Sequence, residues 1–140
     1  MSVAARFPLR FRDLDAFGHV YHAEYLTLLD EGRARWFGEV LGLDEPSGYV
    51  VAHLEIDYLS SLTLADEAVR VDVRLERVGT SSLTVAETTS ARDGRVVARS
   101  RTVAVLRDVA AGRSRPLTDA ERARAEQVQA RQAEAGTPPA

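Results

Sequence analysis

Phe11-Arg12-Asp13-Leu14-Asp15-Ala16-Phe17-Gly18-His19-Val20-Tyr21-His22-Ala23-Glu24-Tyr25 joins two segments whose apolar residues recur at different intervals. Upstream, Arg6 to Arg12 alternates, with Phe7, Leu9 and Phe11 on one face and Arg10 and Arg12 on the other. That is a strand pattern, and Pro8 places it at a sheet edge. Downstream, from about His22 to Leu41, Tyr25, Leu28, Leu29, Trp36 and Val40 follow helical spacing, widened by Leu26, Phe37 and Leu41. So broad an apolar stripe predicts a helix wrapped by other structure. The polar stretch between is therefore a strand–loop–helix junction holding two carboxylates, two histidines and a glycine. A helix N-terminus offers unpaired N–H groups and partial positive charge to whatever lies in front of it. A carboxylate held there is suited to acyl-transfer chemistry.

Working outward, Gly32 sits mid-helix, where it costs about 1 kcal/mol relative to alanine unless a close approach to a sheet or substrate requires it. Glu31 and Arg35 are spaced for a surface pair. Gly42 and Asp44-Glu45-Pro46-Ser47-Gly48 end the helix. From Tyr49 to Val109 the chain reads as strand. Tyr49 to Leu59 forms one run, with Val50, Ala52, Leu54, Ile56 and Tyr58 on one side. Ala68 to Val78 alternates, with Val69, Val71, Val73 and Leu75 inward. Gly79-Thr80-Ser81-Ser82 turns the chain into Leu83 to Ala91, and Asp93-Gly94 turns it into Arg95 to Arg107. Thr118-Asp119-Ala120-Glu121 is a capping box that opens a last helix to about Glu134. Val128 is that helix's one large apolar residue, so it is expected to be peripheral or frayed. Residues 136–140 are expected to be disordered.

With 140 residues the chain has room for one core and not two ordinary domains. A net charge of −3 argues against a nucleic-acid partner, which needs a concentrated basic face. The absence of cysteine removes disulfides, thiolate metal sites and a cysteine nucleophile together. No stretch has the length and apolarity of a membrane span, and Met1 to Arg6 lacks a signal-peptide core, so a cytoplasmic protein without membrane insertion is expected.

Strand, loop, long helix and four antiparallel strands, in that order, resemble the hotdog fold, an α+β arrangement in which a sheet of about five strands wraps a long central helix. The motif from Asp13 to Tyr25, with Asp30 and Arg33 on the helix, is similar to the 4-hydroxybenzoyl-CoA thioesterase-like branch, which includes the Tol-Pal-associated acyl-CoA thioesterases. Further matches are Ile56-Asp57-Tyr58-Leu59 leading to Ala65-Asp66, then Gly79-Thr80-Ser81-Ser82, then Asp93-Gly94. The likeness runs from about Arg6 to Leu117. It implies a hotdog domain over 1–117, a peripheral helix over 118–135 and a tail over 136–140. Asp30 stands where the family usually has glutamate, Ser60-Ser61-Leu62 where a proline is common, and His19 where both apolar residues and histidine occur.

The resemblance implies hydrolysis of an acyl-CoA thioester to a free acid and CoA-SH. Asp15 would be the general base or nucleophile, and the His22 backbone N–H would polarise the thioester carbonyl. Gly18, His19, Val20, Tyr25, Leu29, Ser81 and Ser82 are the expected substrate-binding residues. Coenzyme A enters as part of the substrate, with no cofactor and no metal implied; His19 and His22 lack a third ligand of suitable spacing. A hotdog sheet leaves an edge and a face uncovered, which implies a dimer or tetramer with the site between protomers.

Each residue also has a plainer role. An aspartate before a helix serves as an Asx-turn or cap, and Asp13 would hold the loop or pair with a nearby arginine. His53 would be a strand or interface histidine. Two other activities compete: a non-catalytic acyl-CoA binding or sensing module, which would not need Asp15, and a hotdog hydratase or dehydratase. The hydratases use an Asp/His pair, but Asp15 and His19 are one residue too close. A pure interaction protein would draw on the Ala/Arg/Glu-rich C-terminal helix.

Overall fold

The computed structural model describes residues 4–136. Among these residues six strands and two α-helices follow one another: β1 (Ala5–Pro8), α1 (Glu24–Leu41), β2 (Tyr49–Tyr58), β3 (Ala68–Val78), β4 (Ser82–Ala91), β5 (Val96–Asp108), β6 (Arg113–Ser114) and α2 (Asp119–Glu134). All strand pairs are antiparallel, in the order β1-β3-β4-β5-β2, with the two-residue β6 returning on the end of β5. Inward residues of β3, β4 and β5, among them Val71, Val85 and Ala104, are fully buried against α1. This is the expected hotdog arrangement.

The buried stripe of α1 runs Tyr25, Leu28, Leu29, Gly32, Arg33, Trp36, Phe37 and Leu41. Gly32 is where helix and sheet touch: a Cβ there would lie 2.9 Å from Val71 Cγ1. The predicted Glu31–Arg35 pair does not form among the described residues. Arg35 lies over the Phe7 ring instead, 5.2 Å from its centroid, and the helix's ion pair is Asp30–Arg33 at 2.8 Å. Gly42, at φ 70°, ends α1 in the left-handed conformation, its N–H bonded to Gly38 O.

Two expected boundaries and the facing of one strand shift for local reasons. β1 stops at Pro8 rather than reaching Arg12, because Asp13 accepts hydrogen bonds from the Arg10 backbone and guanidinium and draws Phe11–Asp13 into a 3₁₀ turn. Phe11, expected on the inner face, is left 83% exposed. α1 begins at Glu24, because His22 and Ala23 form a turn closed by the Glu24 N–H on Tyr21 O. β2 carries a bulge between Val51 and His53, and the extra residue exchanges faces. Tyr49 and Val51 therefore share the inner side with Leu54, Ile56 and Tyr58, while Val50 turns outward.

α2 is peripheral and docked. Among the described residues no strand pairs with β3 at Leu75 on the β1 side, and the Gln132 amide bonds there, donating to Leu75 O at 2.7 Å and accepting from Leu75 N at 2.9 Å. Ala125 and Val128 are buried beneath it. The expected disordered tail over 136–140 lies, apart from Gly136, outside the described residues.

Candidate active site

The junction after β1 folds as a tight hairpin. Leu14 and Val20 form an antiparallel bridge, the Tyr21 N–H donates to Asp13 O, and the Asp15 N–H donates to His19 O. Gly18 closes the loop at φ 81°, a conformation that disfavours any side chain. The two aspartates take different roles. Asp13 is buried and paired with Arg10 at 3.0 Å, the structural role expected of it. Asp15 is half-buried, and its Oδ1 accepts from the Phe17 N–H at 2.9 Å and the His19 N–H at 3.2 Å. That is an Asx-turn. Its Oδ2 has no hydrogen-bond donor among the described residues.

His22 lies three residues beyond His19, the residue across the hairpin from Asp15, in the turn that precedes α1. Neither the His22 nor the Ala23 N–H has an acceptor among the described residues. The hairpin thus carries a carboxylate with one free oxygen on one arm and two unengaged amides where the other arm enters the helix.

Beneath the hairpin is an aromatic cluster. Tyr25 is buried and meets Tyr58 edge-on at 5.1 Å; Tyr58 donates its hydroxyl proton to His22 O at 2.7 Å. Burial, together with Tyr58 and Asp66 nearby, pushes the Tyr25 phenol up to about 12, so it stays protonated near pH 7. Burial also raises Tyr58. Tyr58 was visible in the sequence as the last inward residue of a strand, but its contact with a residue 36 positions away has no local signal.

The remaining expected site residues divide into three groups. His19 and Gly18 are exposed on the loop. Val20 and Leu29 are buried in the core, Val20 donating its N–H to Leu62 O. Ser81 and Ser82 lie elsewhere: Ser82 pairs with Val105, whereas the Tyr58 end of the sheet pairs with Ala98. Those seven residues of β5 correspond to about 23 Å, so one protomer does not bring the serine turn to Asp15. Asp15 lines neither of two hollows on the protomer. A 520 Å³ hollow is lined by Arg6, Arg70 and Arg92 on the outer face of the sheet, and a 200 Å³ one by Tyr49 and Arg115 at the end of α1.

The sequence reading missed a buried polar cluster. Arg33 and Glu87 are each 1% exposed, with Arg33 Nε on Glu87 Oε2 at 2.8 Å. Ser100 and Thr102 hydroxyls both donate to Glu87 Oε1 at 2.9 Å. Among the described residues, no three or more His, Asp or Glu side chains are grouped to hold a metal, and no helix is long and apolar enough to cross a membrane.

Residues 9–131 match the thioesterase-like superfamily. A thioesterase from Thermus thermophilus, solved with coenzyme A and Zn, is 36% identical, covering 92% of this chain and 95% of its own, with a TM-score of 0.82. The PA2801 protein of Pseudomonas aeruginosa is 31% identical over 86% of this chain and 95% of its own, with a TM-score of 0.75. A 1,4-dihydroxy-2-naphthoyl-CoA thioesterase from Synechocystis shares the fold at 15% identity, a TM-score of 0.73, and 91% and 98% coverage. Comparison with curated protein sequences gives no match. The chain belongs to the thioesterase-like superfamily: it is a hotdog-fold thioester hydrolase.

Proposed function

We propose that the substrate is an acyl-CoA and that Asp15 carries the hydrolysis. The observation behind this is the loop geometry. The Asx-turn uses one Asp15 oxygen to fix the carboxylate and leaves the other open, on the hairpin that presents the unengaged His22 amide. As a general base, Asp15 takes a proton from water while the water oxygen bonds to the thioester carbonyl carbon. The carbonyl becomes an oxyanion facing the His22 N–H and the positive end of α1. Collapse of the intermediate breaks the C–S bond, and CoA leaves as a thiolate that takes up a proton. As a nucleophile, Asp15 instead forms a mixed anhydride that water hydrolyses. The coenzyme A held by the Thermus thermophilus thioesterase supports the CoA assignment.

We propose further that a second copy completes the site. The outer edge of β2 is unpaired among the described residues, and Val50, Val51, Tyr58 and Leu59 are each between 43% and 51% exposed there. Antiparallel pairing of two β2 edges would set the Tyr49 end of one copy beside the Tyr58 end of the other. The Ser81-Ser82 turn of the second copy would then share an end of the sheet with Asp15. Dimer or tetramer formation and a cytoplasmic location belong to this proposal, as does a catalytic domain ending at Leu117.

The test is thiol release from short, long and aromatic acyl-CoAs by wild type and Asp15→Asn. Release that falls at least 100-fold in the variant supports the assignment. Wild type that binds every acyl-CoA and cleaves none makes the binding module the better account. In single-turnover hydrolysis in H₂¹⁸O, label in the Asp15 carboxylate identifies an anhydride opened at Asp15, whereas label only in the product acid is given both by the base route and by an anhydride opened at its acyl carbonyl.

A further inference from the structure

The carbonyl that Tyr58 bonds, His22 O, belongs to the same peptide group as the Ala23 N–H. Accepting a hydrogen bond polarises a peptide, so the N–H at its other end becomes a stronger donor. The preceding peptide is treated in the same way: Tyr21 O accepts from the Glu24 N–H at 2.9 Å, and its N–H is that of His22. Two consecutive amides therefore have engaged carbonyls and no acceptor of their own among the described residues. Ala23 has helical angles, φ −72° and ψ −23°, and in helical backbone the first N–H groups point together out of the N-terminus.

We infer that the Ala23 amide is a second donor to the oxyanion, and that Tyr58 is the residue that positions and polarises it. This rests on the acyl-CoA reading above. The geometry suits the role because the two partners are held independently. Tyr58 is the last residue of β2, fixed by pairing with Ala98 and by its edge-on contact with the buried Tyr25. The peptide it holds belongs to the turn that starts α1. The sheet therefore sets the register of the helix terminus to within one hydrogen bond, at the place where charge would develop.

Tyr58→Phe removes the hydroxyl and keeps the ring on Tyr25. The expected result is a kcat lowered about tenfold with KM within about twofold, because a donor aimed at the oxyanion acts on the transition state and little on the bound thioester. Ala23→Pro deletes the amide proton at a φ that proline adopts; kcat is expected to fall about 100-fold, while Ala23→Ser, which keeps the N–H, retains activity. For a readout that packing alone would not move, the fastest-cleaved acyl-CoA of the panel is labelled with ¹³C at its carbonyl. It is bound to Asp15→Asn and to Asp15→Asn/Tyr58→Phe, and the C=O stretch should lie at higher frequency in the double variant. A Tyr58→Phe enzyme with kcat within twofold of wild type, or a carbonyl stretch that does not move, overturns the proposal. If Ala23→Pro does not fold, Tyr58→Phe decides alone. A wild type inert on every acyl-CoA overturns the function reading and this one with it, whereas an active wild type with an unaffected Tyr58→Phe overturns this one only.

Discussion

Replacing Arg33 by methionine tests how α1 is held to the sheet. Arg33 reaches three partners: Glu87 at 2.8 Å, Thr102 at 3.2 Å and Asp30 at 2.8 Å. The Asp30 side chain is 68% exposed, so that leg is screened by solvent and contributes at most about 1 kcal/mol. The Glu87 leg is different, since neither partner reaches water. Methionine fills much of the volume, leaving little cavity and isolating the effect of a buried carboxylate without its cation. Breaking such a pair costs about 3–5 kcal/mol. The Ser100 and Thr102 hydroxyls still donate to Glu87, which places the expected cost at the lower end, about 3 kcal/mol. Adding Glu87→Gln removes the orphaned charge and keeps an acceptor for both hydroxyls, so the double variant should recover about 2 kcal/mol of that loss. Urea unfolding at neutral pH reads both, at one protomer concentration because any oligomer contributes by mass action. A single variant destabilised by less than about 1 kcal/mol, or a double variant no better than the single, would refute the reasoning.

Three further outcomes follow from particular contacts. Gly32→Ala should lower the unfolding midpoint: its Cβ meets the branched, fully buried Val71 at 2.9 Å, and overpacking of about 1–3 kcal/mol outweighs the ~1 kcal/mol gained in helix propensity. Val71→Ala in the same chain should restore part of the loss. Arg115, with help from Thr118, holds the Glu121 carboxyl down from 4.5 to about 2. A depressed folded value means stability present above pH 4.5 and lost as pH falls toward 2, on the order of 2 kcal/mol; Glu121→Gln should remove that acid slope in circular dichroism titrations. Gln132→Ala takes both Gln132 bonds from Leu75, at about 1–3 kcal/mol, and should speed hydrogen exchange at the Leu75 amide.

What could be read from the sequence was what depends on neighbours in the chain. The alternation of β3 and β4, the Asp93-Gly94 turn and the Thr118 capping box all lie where the residues place them. The hairpin around Gly18 also follows from local chemistry. Readings failed where a distant or competing partner intervened. Phe11 fitted the alternation of β1, but Asp13 bonding back to Arg10 takes it out of the strand. Glu31 and Arg35 had the right spacing, yet the Phe7 ring, from another element, took the arginine. The bulge in β2 left no signal among its mixed apolar residues. Nothing in the strand pattern marked Glu87, Ser100 and Thr102 as a cluster; only the crossing of α1, which brings Arg33 to Glu87 and Thr102, makes their burial tolerable. Tyr58 on His22 is the same kind of contact, and it lies in the part of the site that no single segment encodes.

The Asx-turn at Asp15 is at once the plain explanation for that residue and a means of separating structure from chemistry. The turn needs one acceptor oxygen, and it receives the Phe17 and His19 amides on Oδ1. Asparagine supplies the same acceptor without charge, so Asp15→Asn should keep the loop and stay within about 0.5 kcal/mol of wild type. Asp15→Ala leaves both amides unbonded and should cost about 1–2 kcal/mol. If the residue served the fold alone, activity would follow stability: nearly full in the asparagine variant and reduced in the alanine one. If its free oxygen carries the reaction, both variants lose activity by 100-fold or more, and the more stable of the two is no better a catalyst. Thermal unfolding and thiol release on the same two proteins decide between these, because the predicted orders differ in the asparagine variant. An Asp15→Asn protein that retains both its stability and its turnover would leave Asp15 as a loop residue and move the search for the base elsewhere.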